Sequence, residues 1–104
     1  MEQPNLSVIK EIAGDDLDFQ NSILEIMKAE FFEEVKLYKE NFLKQNYLET
    51  SNDVHKLKHK ISLLGLTKDF ELAAELELSL KKNDYKLHQN FLEILNKIHV
   101  YLYD

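Results

Sequence analysis

Apolar residues recur at spacings of three and four along most of the chain, the period of amphipathic helices rather than the alternation of strands. Pro4 and Asn5 precede a short pattern of Leu6, Ile9 and Ile12 that stops at Gly14, the polarity expected of a short helix. Asp15 then caps a long segment, with Asp16 and Asp18 in a first turn where the helix dipole favours anions. Leu24, Met27, Phe31, Val35, Tyr38 and Phe42 form its stripe and predict one helix reaching about Lys44. Ile23 and Leu37 widen that stripe, so this helix is expected to touch more than one neighbour.

Asn46 and Glu49 stand at capping-box spacing and start a third helix at Tyr47. The poor helix formers Thr50, Ser51, Asn52 and Asp53 leave a later start at Ser51 or Asn52 open. Val54, Leu57, Ile61 and Leu64 are its buried stripe, and Gly65 ends it. A fourth helix over about 68–82 carries Phe70, Ala73, Leu76 and Leu80. Asn83 and Asp84 cap a fifth, from Tyr85 to about Leu102, built on Phe91, Leu95, Ile98 and Leu102. Four amphipathic helices with short connections predict an all-α fold: an antiparallel up-down-up-down four-helix bundle with a short N-terminal capping helix.

Composition agrees with one such domain over residues 1–104. Two Gly and one Pro are too few to punctuate an all-β chain. No apolar run approaches the roughly 20 residues a bilayer requires, and no basic-then-apolar leader is present, so the expected compartment is the cytoplasm. With no Cys there are no disulfides and no Cys-based zinc site. The net charge of −6 disfavours nucleic acid, which needs a cationic face. All 13 basic residues are Lys, so phosphoryl groups can be met only by point charges and not by the bidentate guanidinium fork. No glycine-rich phosphate loop is present, which excludes a kinase acting alone.

The chemistry concentrates in Val54–Gly65, VHKLKHKISLLG. On a helix, His55 falls roughly 140° from the middle of the apolar stripe, in company with Ser51, Lys58, His59 and Ser62. That arrangement predicts a solvent-facing imidazole on a helix anchored in the core, with a lysine one turn away. A neutral imidazole nitrogen is a nucleophile for a phosphoryl group, because histidine ordinarily titrates near neutrality. Lys58 is placed to stabilise the roughly two negative charges that arrive with the phosphoryl group. It should also disfavour the imidazolium beforehand. No carboxylate partner for the second ring nitrogen can be assigned from spacing.

This segment resembles the histidine-containing phosphotransfer (HPt) domain of two-component phosphorelays. The family pattern is a His, a Lys three positions on, commonly a Gly at the fourth position, and a Gly at the tenth. His55, Lys58 and Gly65 match it, Leu76-Glu77 resembles the Leu-Glu pair of the next helix, Gly14-Asp15 precedes the long helix, and Asn46-Tyr47 stands where the family often has Asp-Trp. The resemblance spans nearly the whole chain. It implies a stoichiometric carrier rather than an enzyme. His55 would be the phosphoacceptor, Lys58 its electrostatic support, and His59 and Ser62 neighbours that meet the partner. The implied partners are response-regulator receiver domains and a hybrid sensor kinase; the receivers supply Mg²⁺, and this chain binds no cofactor itself. His59 departs from the family's usual Gly and bears on partner fit. A phosphorylation-incompetent adaptor that binds receiver domains is the alternative reading.

Other constellations carry less. His55 and His59 share the i, i+4 spacing of metal ligands, but Lys56 and Lys58 flank them and no further ligands are evident, so no metal is expected. Asp15, Asp16 and Asp18 serve a helix start better than a calcium loop. His88 and His99 are read as structural or surface residues. The short first helix, through Leu6 or Ile9, is expected to contribute exposed apolar side chains to the docking face, and a monomer is expected.

Overall fold

The computed structural model describes residues 2–104. Its elements are α1 (Ser7–Ala13), α2 (Leu17–Leu43), α3 (Tyr47–Leu63), α4 (Thr67–Leu80) and α5 (His88–Tyr103), and no strand occurs among the described residues. The chain is all-α. The 27 residues of α2 extend about 40 Å at the helical rise, and this sets most of the 44 Å long dimension. Contacts run from α2 to α3, α3 to α4, α4 to α5 and back from α5 to α2, with α1 laid against α2.

The stripes read from spacing supply the core. Met27, Phe31, Tyr38, Val54, Leu57, Ile61, Leu76, Leu80, Phe91 and Ile98 are all buried. Tyr38 brings a hydroxyl into that core, where it lies 2.6 Å from Nδ1 of His88. The His88 ring lies flat on Phe42, with centroids 3.5 Å apart. His88 is therefore a structural residue, as expected, and burial pushes its pKa down.

Helix ends differ from the sequence reading in instructive ways. The N-cap of α2 is Asp16 rather than Asp15, and its Oδ1 accepts the Phe19 N–H at 3.0 Å. Helix α3 starts at Tyr47, the earlier of the candidate starts, yet Asn46 makes no side-chain capping bond. Three of the poor helix formers behind it, Thr50, Ser51 and Asp53, have side-chain hydrogen-bond partners. Thr50 Oγ1 donates to Asn46 O at 2.8 Å, and Asn41 donates to Asp53 at 2.7 Å. Asn83 and Asp84 close α4 through their backbone, while Asp84 Oδ1 accepts the Lys86 N–H at 3.1 Å in the turn that leads to α5. Asn83 takes φ 61, and the N–H groups of Asn83 and Asp84 turn back to Leu80 O and Ser79 O. Helix α5 consequently begins at His88, three residues later than expected.

The N-terminal segment is fastened to the α3–α4 corner. Asn5 N–H donates to Leu64 O at 2.9 Å, and Glu2 Oε1 accepts the Lys68 and Asp69 N–H groups, a remote cap for α4. This docking overturns the expected exposure of Ile9. Ile9 is fully buried in the shared core, because α1 has a single narrow apolar face and spends it on α2. Leu6 is partly buried against the same core, and Ile12 is the exposed apolar residue of α1.

Candidate functional site

The surface around His55 is organised by one residue of the neighbouring helix, Glu77 of α4. Oε2 of Glu77 lies 3.1 Å from His55 Nδ1, and Oε1 lies 2.9 Å from Lys58 Nζ. One carboxylate thus bridges an imidazole and an ammonium that sit three residues apart on α3. The His55 side chain is 53% exposed, whereas Lys58 and Glu77 are 16% and 13% exposed. The ring stands in solvent on a base that is largely withdrawn from it.

Burial by itself raises the pKa of Glu77. The Lys58 ammonium, and then the bond to His55, outweigh that effect and hold the carboxyl below its usual range. An ionised Glu77 can only accept, so it selects the His55 tautomer with the proton on Nδ1. Nε2 then carries the free lone pair, and no partner meets it among the described residues.

The register that brings Glu77 here is pinned one turn earlier. Ser51 Oγ donates to the Glu77 backbone carbonyl at 2.9 Å. Ser51 was expected on the solvent face beside His55, but it is fully buried between α3 and α4. The helical wheel locates a residue relative to its own stripe; α4 covers that side of α3 at Ser51 and leaves it open at His55. Lys58 is likewise drawn in, with its ammonium 5.5 Å from the centre of the Phe70 ring and in contact with Glu77. It is therefore not the free surface cation of the sequence reading.

His59 and Ser62 are exposed, as expected. The His59 ring meets that of His55 edge to face, with centroids 5.0 Å apart and an interplanar angle of 89°. No group of three or more metal-ligating side chains occurs among the described residues. Ile9, buried in the core, forms no part of this surface. His99 is exposed on α5 beside Tyr103.

Glu77 and Ser51 are the site residues whose roles spacing did not disclose. Glu77 had a signal only as half of the Leu76-Glu77 pair in the family resemblance. Comparison of the chain with family models, with curated proteins and with solved structures found no match. No helix among the described residues is long and apolar enough to cross a membrane.

Proposed function

We propose that this chain is a histidine phosphocarrier of the HPt type, with His55 as phosphoacceptor. The observation that carries this reading is the His55–Glu77 contact: an exposed imidazole whose Nδ1 is engaged by a carboxylate and whose Nε2 is open. In this reading α2–α5 form an antiparallel up-down-up-down bundle, with α1 as a cap over one end.

The Nε2 lone pair attacks the phosphorus of an aspartyl phosphate on a receiver domain. The N–P bond forms as the P–O bond to the aspartate breaks, and the aspartate leaves as a carboxylate. The ring keeps its Nδ1 proton and becomes a cationic phosphoimidazole, so positive charge grows on the ring during attack. Glu77, already ionised and hydrogen-bonded to Nδ1, stabilises that charge without moving. Lys58 acts through Glu77: it holds the carboxylate ionised and aimed, which makes it a positioning residue. His59, whose ring meets that of His55, and Ser62, about two turns beyond His55 on α3, are the exposed neighbours that meet the partner. Transfer onward to a second receiver reverses the same steps.

The chain carries the group stoichiometrically, as a monomer in the cytoplasm, and takes no cofactor. Mg²⁺ belongs to the receivers, and a hybrid sensor kinase supplies the first phosphoryl group. Phosphorylated receiver domains with Mg²⁺, mixed with the wild type and His55→Gln, test the reading by intact mass. One added phosphoryl group on the wild type and none on His55→Gln is expected. Receiver binding without any transfer indicates the adaptor instead.

A further inference from the structure

The α2–α5 side of the molecule carries a feature that the His55 site does not use. Helices α2 and α5 meet along fewer residues than α3 and α4, and a groove remains between them. Three adjoining hollows of about 280, 280 and 240 Å³ follow it, sharing Val35, Lys39, Leu92 and His99 among their walls. The floor is apolar: Phe31, Val35 and Leu92, with the exposed Phe32 and Leu43 along one edge. Phe32, Val35, Lys36, Lys39 and Leu43 project from one side of α2 at the helical period, about 16 Å of groove or three helical turns.

Charge in the walls of this groove runs against that of the whole chain. The protein has 19 acidic and 13 basic residues, yet none of the three hollows has an Asp or Glu in its walls. Lys36, Lys39 and His99 stand there instead. Neither lysine is paired with a carboxylate among the described residues, whereas Lys58, Lys60 and Lys97 all are. An apolar floor of three turns whose walls hold Lys36 and Lys39 and no carboxylate, with Glu33 and Glu40 outside them, complements a helix that has an apolar stripe and acidic flanks. It does not complement a second copy applied about a two-fold axis, which would set lysine against lysine.

We propose that the α2–α5 groove is a docking site for an acidic amphipathic helix of another protein. The occupant would place apolar anchors at i, i+4 and i+7 over Phe32, Val35 and Leu92, and carboxylates beside Lys36 and Lys39. The groove is lined by α2 and α5 alone, whereas the His55–Glu77 contact lies between α3 and α4, so docking here is expected to leave His55 chemistry unchanged.

The probe is a blocked synthetic helix of about four turns, with a Leu stripe at i, i+4, i+7 and i+11 and Glu at its flanks. It is titrated into the full chain and followed by amide and methyl NMR. The same helix with Lys for Glu serves as control. Shifts confined to Phe32, Val35, Lys39, Leu92 and His99 are expected. So is an affinity at least about ten-fold above the Lys control, lost in the double variant Lys36→Glu/Lys39→Glu with the fold unchanged. Equal binding of both helices, shifts centred elsewhere, or no binding overturns the inference. So does co-sedimentation of the chain with vesicles of mixed neutral and anionic phospholipid that the double variant abolishes while the Glu helix fails to bind. A concentration-dependent mass in analytical ultracentrifugation that Phe32→Glu removes makes the groove a self-interface and equally overturns it. Phosphoryl acceptance at His55 should be the same in the double variant and the wild type, so the groove and the carrier reading fail separately.

Discussion

Ser51 donates its hydroxyl to the backbone carbonyl of Glu77 at 2.9 Å, one helical turn before the point where the Glu77 carboxylate meets His55. A single residue of α4 is thereby held by both its backbone and its side chain, and the second contact inherits its geometry from the first. Ser51→Ala is expected to cost about 1 kcal/mol of stability, the worth of one buried hydrogen bond. It should also lower the population of the Nδ1-protonated tautomer of His55, read from the ring nitrogen chemical shifts. A stability loss with an unchanged tautomer contradicts the coupling.

Glu77→Ala removes the bridge itself. The Nδ1–H preference of His55 should disappear, and the rate of phosphoryl acceptance should fall by about ten- to a hundred-fold as the stabilising charge is lost. Glu77→Gln keeps a hydrogen-bonding group without the charge and should fall between. Stopped-time intact mass measures the rates, and ring nitrogen NMR measures the tautomer. Equal rates in all three proteins remove Glu77 from the mechanism.

The lowered pKa of Glu77 gives stability a definite pH dependence. Above the ordinary glutamate value of 4.5 the group is ionised in folded and unfolded chains alike, and its full contribution is present. As pH falls through that value the unfolded chain takes up the proton first, so stability declines until the native carboxyl is protonated too. Glu77→Gln should flatten this part of a stability–pH curve from urea denaturation. Lys58→Met should flatten it as well, because the ammonium outweighs the burial that would otherwise raise the pKa.

His88 acts in the same direction at higher pH. Its pKa lies below the ordinary 6.5 because the ring is buried, so the native state holds it neutral. The neutral ring shares a hydrogen bond with the Tyr38 hydroxyl through Nδ1, its direction set by the ring tautomer. Stability contributed here is complete above pH 6.5 and is lost as the unfolded chain protonates below it. His88→Phe should preserve the stacking on Phe42 and remove this slope. It strands the Tyr38 hydroxyl in the core, at a cost of about 1–3 kcal/mol. Adding Tyr38→Phe should recover much of the loss, because both polar partners are then gone. Failure of the double variant to recover any of it argues that the pair is not isolated in the core.

Gly65 tests the attachment of the N-terminal segment. It has φ +75, and a Cβ there would lie 2.7 Å from the Asn5 side chain. Gly65→Ala should destabilise by about 1–2 kcal/mol from backbone strain, with a further loss from displacement of Asn5. Comparing the substitution in wild-type and Asn5→Gly backgrounds separates the two. A smaller cost in the Asn5→Gly background is expected; identical costs mean that the side chain yields freely.

Each helix was legible because its apolar stripe is anchored on large residues at helical spacing, as in Met27, Phe31 and Tyr38 or Val54, Leu57 and Ile61. Exposure of His55 followed from the same wheel. What the wheel could not show was the depth to which a neighbouring helix covers the polar side. Ser51 and Lys58 lie on the same side of α3 as His55, yet α4 covers the first and draws in the second. Glu77 is twenty-two residues from His55. Its contact depends on the register of two packed helices, which no local spacing encodes. Ile9 failed as a surface residue for a related reason: it points into the face that α1 docks on the core, and Ile12 is the apolar residue left outside. At Asn83 the same residue type that suits an N-cap also suits a left-handed C-terminal position, and the preceding helix claimed it.

The central claim is that His55 accepts a phosphoryl group on Nε2 while Glu77 retains the proton on Nδ1. Ring nitrogen and phosphorus NMR of the protein phosphorylated by a receiver domain tests it most directly, with His59→Gln measured alongside. The expected result is an N–P coupling to Nε2 of His55 and a protonated Nδ1, in both the wild type and His59→Gln. Phosphorus on Nδ1, a label that follows His59, or no label from receivers that bind the chain contradicts it.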